Sequence, residues 1–250
     1  MLLEFIISFV LYLILFISLG ILVLNILPDV LGYTDENVFQ ITTQLQKEED
    51  SNYTIDGGEY ASRIERLMQD VNSVNGSPLD IKVFISEEVN AYAWPHNAIR
   101  IYSGMMDIMT DNELIAIIGH EIGHIKHGDT KKSFRNEVLF DNAAKVLETI
   151  FNMNKISSAI LENYVVRYLN AHYDRKQEYE ADDYAVDFTV SRGYPPTSMA
   201  DALHKFVVLF GTEQSWKISK LFATHPDSDA REKRLRENRQ ELIGQFFGDY

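Results

Sequence analysis

The sequence predicts an α+β fold, mostly α-helical with a small antiparallel sheet, behind one N-terminal transmembrane helix. Three observations predict it. Phe5 to Leu27 is almost wholly apolar and carries no charge. Three short runs between Leu79 and Tyr102 alternate as strands do. Most of the remaining chain repeats its apolar residues at helical spacing. The division that follows is an anchor over residues 1–28 and one domain over residues 29–250, long enough for a real core.

At about 1.5 Å per residue, Phe5–Leu27 spans a hydrocarbon core of about 30 Å. A cleaved signal peptide would want a basic leading region, a shorter apolar run and a small-residue cleavage site. This stretch starts Met1-Leu2-Leu3-Glu4 and ends Leu27-Pro28-Asp29, so it reads as an uncleaved, single-pass anchor in the cell membrane. Lys47 is the only basic residue between it and Arg63. Cytoplasmic flanks usually carry Lys or Arg, which leans the domain toward the extracytoplasmic side.

Residues 35–48 and 58–74 have the pattern of amphipathic helices, the second with Tyr60, Ile64, Leu67, Met68 and Val71 on one face. Asn75-Gly76-Ser77-Pro78 is a turn. Leu79–Ile85, Asn90–Trp94 and Ala98–Tyr102 are the strands, and His96 is a turn residue. Thr110-Asp111-Asn112-Glu113 is a capping box that starts a helix, and Gly128 ends it. Further helices are expected from Ser133 to about Asn170, from about Ser157 through residue 182 to a stop at Arg192–Pro196, over 197–210, and from Asp227 to about Leu242. Charges at Glu137, Asp141, Lys145 and Glu148 argue against a second membrane span. The chain has no cysteine, which excludes a disulfide scaffold and a cysteine-ligated metal. A net charge of −14 argues against a nucleic-acid partner.

The chemistry concentrates in Gly119-His120-Glu121-Ile122-Gly123-His124. On a helix, His120 and His124 share a face one turn apart and can share one metal ion. Glu121 lies beside them, placed to act on a water that the metal activates. This His-Glu-x-x-His pattern points to Zn²⁺. Leu114, Ile115, Ile117, Ile118 and Ile122 make the helix apolar enough to bury, and two histidines and a glutamate are costly there unless satisfied. A third ligand is still needed. The metzincin spacing fails, because positions 127 and 130 are His127 and Thr130. The better candidate is Glu178-Tyr179-Glu180-Ala181-Asp182. There Glu178 can ligate while Asp182, four residues on, holds a ligand histidine by its other ring nitrogen. Glu180 would point elsewhere, and His127, His172 and His204 read as surface or packing residues.

Four separated pieces, in order, resemble the HtpX-like and CAAX-prenyl-protease family of membrane-associated zinc metallopeptidases, the gluzincins. They are Asn-Ala-Tyr-Ala at 90–93, Gly-His-Glu-Ile-Gly-His at 119–124, Glu-Tyr-Glu-Ala-Asp at 178–182 and Thr-His-Pro at 224–226. The resemblance implies a zincin-like domain with Zn²⁺ on His120, His124 and Glu178, and Glu121 as catalytic base. It implies that Asn90, Ala91, Tyr92 and Ala93 lie beside the active site as a substrate-binding edge, though an ordinary hairpin is the other reading. His225 has three readings: a surface histidine, a fourth ligand, or a donor to the oxyanion. Arg231 could hold the same oxyanion or orient the site, and the resemblance favours an active-site role for both. The expected function is a membrane-anchored zinc endopeptidase acting on protein or peptide substrates, in envelope protein quality control. A zinc-binding adaptor or chaperone and a prenyl-protein protease are the rivals. The sequence does not give an oligomeric state.

Overall fold

The computed structural model describes residues 9–13, 15, 18, 35–141, 173–210 and 225–238. Past the N-terminal run, helix α1 spans Asp35–Asn52 and helix α2 spans Glu59–Met68. Ile64, Leu67 and Met68 are the buried face of α2. The second helix stops well short of the expected Val74. Ser73–Val74 (β1) instead pairs antiparallel with Ser77–Pro78 (β2) around Asn75-Gly76, so the chain has already turned extended.

Three strands follow: β3 Asp80–Phe84, β4 Ala91–Trp94 and β5 Ala98–Tyr102. The alternation predicts them correctly but not their order. β5 is central, β4 pairs with it antiparallel, and β3 pairs with it parallel, so the sheet is mixed rather than antiparallel. Every residue of β5 is buried, which suits a central position, whereas β3 begins exposed. Val83, Ala91, Ala93, Ile99 and Ile101 belong to the main hydrophobic core. The opposite face carries Lys82, Phe84, Tyr92, Trp94, Arg100 and Tyr102, as the register requires. Helix α1 covers that face. Its Asp50 accepts two hydrogen bonds from Arg100, at 2.7 and 3.0 Å, and one from Lys82. His96 bonds Thr42 and Gln46 of the same helix, and burial pushes it down to about 4, so it docks as a neutral ring.

A short helix, α3 (Ser103–Ile108), leads into α4 (Asp111–His127). Both halves of the Thr110–Glu113 capping box are made. Gly128 closes the helix in the left-handed conformation at φ 77°. Helix α5 (Asp129–Asp141) starts at once, four residues before the expected Ser133. Helix α6 (Arg175–Val190) has its own capping box, Asp174 with Gln177, so the Glu178 helix begins at Arg175 and not near Ser157. Helices α7 (Ser198–Phe210) and α8 (Ser228–Asn238) complete the described elements.

Helices α4 and α6 lie against each other at two glycines. A Cβ on Gly119 would come within 2.8 Å of Phe188 Cδ1, and one on Gly123 within 3.0 Å of the Ala181 Cα. Only glycine permits this approach, and it is what lets α6 present side chains to the motif on α4.

Of the apolar N-terminal run, residues 9–13, 15 and 18 are described and are helical. The rest of the expected anchor lies outside the described residues, as do Thr224, the expected helical stretch over 142–170 and the end of the last helix. Among the described residues no helix is long and apolar enough to cross a membrane.

Candidate active site

Helix α4 brings His120, Glu121 and His124 into the interior, each at most 3% exposed. Helix α6 adds Glu178 and Asp182, one turn apart and both buried. His225 comes from the segment just before α8, and Arg231 from α8 itself. His225 is therefore buried, which disposes of the surface reading. Ligand-type atoms of His120, His124, Glu178 and His225 all lie within 4.8 Å of one another.

The two imidazoles of α4 point their Nε2 atoms at each other, 3.1 Å apart. Their outer nitrogens face carboxylates. His120 Nδ1 stands 3.0 Å from Asp182 Oδ1, and His124 Nδ1 donates to Asp129 Oδ2 at 3.0 Å. Once His124 has given up its second proton and each Nδ1 keeps one, both Nε2 atoms offer lone pairs toward one another, an arrangement that suits a metal ion between them. Glu178 completes it, with its oxygens 3.5 Å from each Nε2. Two imidazoles and a carboxylate suit zinc, which leaves a position for water or substrate in such a set.

Electrostatics keep the set ready for a metal. Burial pushes His120 down to about 3. Burial would raise Glu178, but His225 and Arg231 outweigh it and hold the carboxyl well below its ordinary range. Burial would likewise lower His124, yet its bonds to Asp129 and Glu178 push it up to about 9, so metal binding there displaces a proton. Arg231 is 1% exposed and forks onto Asp182 at 2.6 and 2.9 Å, while its third nitrogen lies 2.5 Å from Glu178. It orients two carboxylates at once.

Glu121 differs from its neighbours. Both its oxygens are buried without a hydrogen-bond partner among the described residues, and burial raises its carboxyl above the usual range. His225 stands across from it, with Nε2 3.6 Å from Oε1. A carboxylate so placed suits proton transfer. Beside it lies a small pocket lined by Ile117, Met199, Leu203 and Phe206, with His120, Glu121, His225, Ser228 and Arg231 as its polar lining.

The expected substrate strand is β4, which stands at the end of the sheet order. Its residues Ala91, Tyr92 and Ala93, and Asn90 before them, are buried and do not line that cavity. Glu180 points outward to Lys176, as expected, and His127 and His204 lie away from the cluster against Tyr184 and Glu232. Sequence reasoning missed Asp129, Gln177 and Tyr173. The Tyr173 ring stacks on His124 with centroids 3.8 Å apart. The one available signal was the acid directly after the Gly128 cap.

Fold and site define a class: a helical His-Glu-x-x-His centre completed by a carboxylate from a second helix. Comparison with known proteins supplies the family. Peptidase family M48 matches residues 56–239. Metalloprotease LoiP of Escherichia coli is 35% identical over 209 residues, covering 82% of this chain and 81% of that protein. Metalloprotease YcaL of the same organism is 28% identical, covering 71% and 69%, and a protease HtpX homolog of Sulfurovum is 23% identical, covering 70% and 75%. The chain belongs to peptidase family M48 and is a metalloprotease, a hydrolase of protein or peptide substrates.

Proposed function

We propose that this metalloprotease is a zinc endopeptidase, anchored by residues 5–27 with its catalytic domain outside the cytoplasm. One observation carries the site: the convergence of His120, His124, Glu178 and His225 beside Glu121, whose oxygens have no hydrogen-bond partner among the described residues. His120, His124 and Glu178 hold the metal. When bound, zinc supplies a Lewis acid that activates water and polarises the scissile carbonyl. Glu121 accepts the proton of the attacking water and delivers it to the leaving amine. His225, across from Glu121, donates to the oxyanion as the carbonyl becomes tetrahedral. Arg231 keeps Asp182 and Glu178 aimed while charge moves.

The apolar cavity beside Glu121 takes the side chain next to the scissile bond. Folded proteins bury such side chains, so the preferred substrates are unfolded or extended polypeptides, which fits envelope protein quality control. The anchor rests on the charge-free run from Phe5 to Leu27, and the facing on the Lys/Arg-poor flank.

Purified full-length protein in detergent, given an unfolded protein or a peptide library, tests the catalytic reading. Hydrolysis should stop with chelator and return with zinc. Hydrolysis indifferent to chelator would overturn it. Alkali extraction of membranes tests the anchor: recovery of the chain in the soluble fraction, starting near residue 28, would overturn that part alone.

A further inference from the structure

The two histidines of α4 are supported differently. His120 faces Asp182, which the Arg231 fork holds. His124 faces Asp129, only five residues on and on a different helix from Asp182. The left-handed Gly128 turns the chain so that α5 begins beside the last turn of α4. The Asp129 carboxylate thus lies at the N-terminus of α5 and at His124 Nδ1 together, and a helix N-terminus favours negative charge. Its other oxygen accepts 2.8 Å from Gln177 Nε2. Gln177 is fixed in turn, because its Oε1 accepts from the Asp174 N–H at 2.9 Å in the capping box of α6. A continuous chain, Asp174–Gln177–Asp129–His124, therefore ties the start of α6 to a histidine of α4. Glu178 is the very next residue. The stacked Tyr173 ring, with planes 15° apart, limits rotation of the same imidazole.

We propose that Asp129 is a positioning residue for His124, and that Gln177 aims it, so that one clamp sets His124 and Glu178 relative to each other. The proposal rests on the reading of His124 as a metal ligand. Asp129 fixes the tautomer in which Nε2 keeps its lone pair for the metal and strengthens that nitrogen as a donor; outer-shell partners of this kind typically contribute about 10–100-fold in metal affinity. Gln177 does for Asp129 what Arg231 does for Asp182.

The test is the zinc affinity of the full-length protein, measured by competition with a chromophoric chelator, alongside the melting temperature of the metal-free form. Asp129→Ala should weaken zinc binding about 10–100-fold. Asp129→Asn, which keeps an acceptor oxygen, should recover part of the loss. Gln177→Glu keeps the capping acceptor for Asp174 but sets a carboxylate against Asp129. It should weaken zinc binding, and because it keeps the cap of α6 it keeps the test open if Asp129→Ala fails to fold. If wild type binds zinc and both Asp129→Ala and Gln177→Glu match it within twofold, this proposal is overturned alone. If wild type itself binds no zinc, the metal-site reading falls and the proposal falls with it.

Discussion

Gly123→Ala adds one methyl group where α4 meets α6, and the consequences follow from distances. The new Cβ would lie 3.0 Å from the Ala181 Cα, 3.2 Å from the Ala181 carbonyl oxygen and 3.3 Å from the Tyr184 Cβ. Carbon atoms in good contact sit about 3.5–4.0 Å apart, so the helices must part by roughly 0.5–1 Å. The first two neighbours are backbone and cannot rotate away. Overpacking of this kind costs about 1–3 kcal/mol, and replacing a mid-helix glycine by alanine returns about 1 kcal/mol, so the metal-free protein should lose about 0–2 kcal/mol. The larger effect should fall on the metal. Glu178 lies on α6 one turn before Ala181, and His124 lies next to Gly123, so the displacement passes directly into the separation of two ligands. Metal–ligand distances tolerate only about ±0.2 Å. Zinc affinity should therefore fall at least about tenfold, or roughly 1.4 kcal/mol. Chelator competition reads the affinity, and denaturant unfolding of the metal-free variant reads the stability. Wild-type zinc affinity in Gly123→Ala would show instead that the helices absorb the methyl group without moving His124 or Glu178.

Two more outcomes are expected. Glu178→Ala should lose bound zinc, whereas Glu180→Ala, half-exposed and paired with Lys176, should keep it; metal analysis of the purified variants decides, and equal loss in both would mean a wrong ligand. Burial pushes Glu49 up to about 7 from 4.5, so between about pH 4.5 and 7 the folded state keeps a proton that the unfolded chain has released, and the stability this residue contributes falls as pH rises through that window. Glu49→Gln cannot ionise and should gain on wild type by an amount on the order of 2–3 kcal/mol between pH 4.5 and 8; a difference in unfolding free energy that does not change with pH would contradict this.

The side chains of the candidate metal site were legible because their chemistry is spelled out in short-range spacing. His120 and His124 four apart, and Glu178 and Asp182 four apart, fix which groups share a helix face, and capping chemistry at Thr110–Glu113 and Gly128 fixes where α4 starts and stops. What was not legible depends on long-range placement. Alternation marks Leu79–Ile85 as a strand, but nothing in it says that β3 lies parallel to β5 with β4 on the far side. The glycines at 119 and 123 look like spacers in a motif until Phe188 and Ala181 are seen pressed against them. Asp129 reads as an ordinary first-turn acid until the left-handed Gly128 swings it back to His124. Arg231 could be assigned to the site but not to its partners, since Asp182 and Glu178 lie about fifty residues away in sequence.

In the proposed mechanism Glu121 performs the proton transfer at a metal held by other side chains. Glu121→Gln preserves size and burial, leaves His120, His124 and Glu178 in place, and removes only the proton acceptor. Zinc content and peptide hydrolysis should be measured on one preparation of this variant beside wild type. Zinc content should match wild type while turnover falls by a factor of about 10²–10⁴. Turnover near wild type with zinc still bound would contradict it.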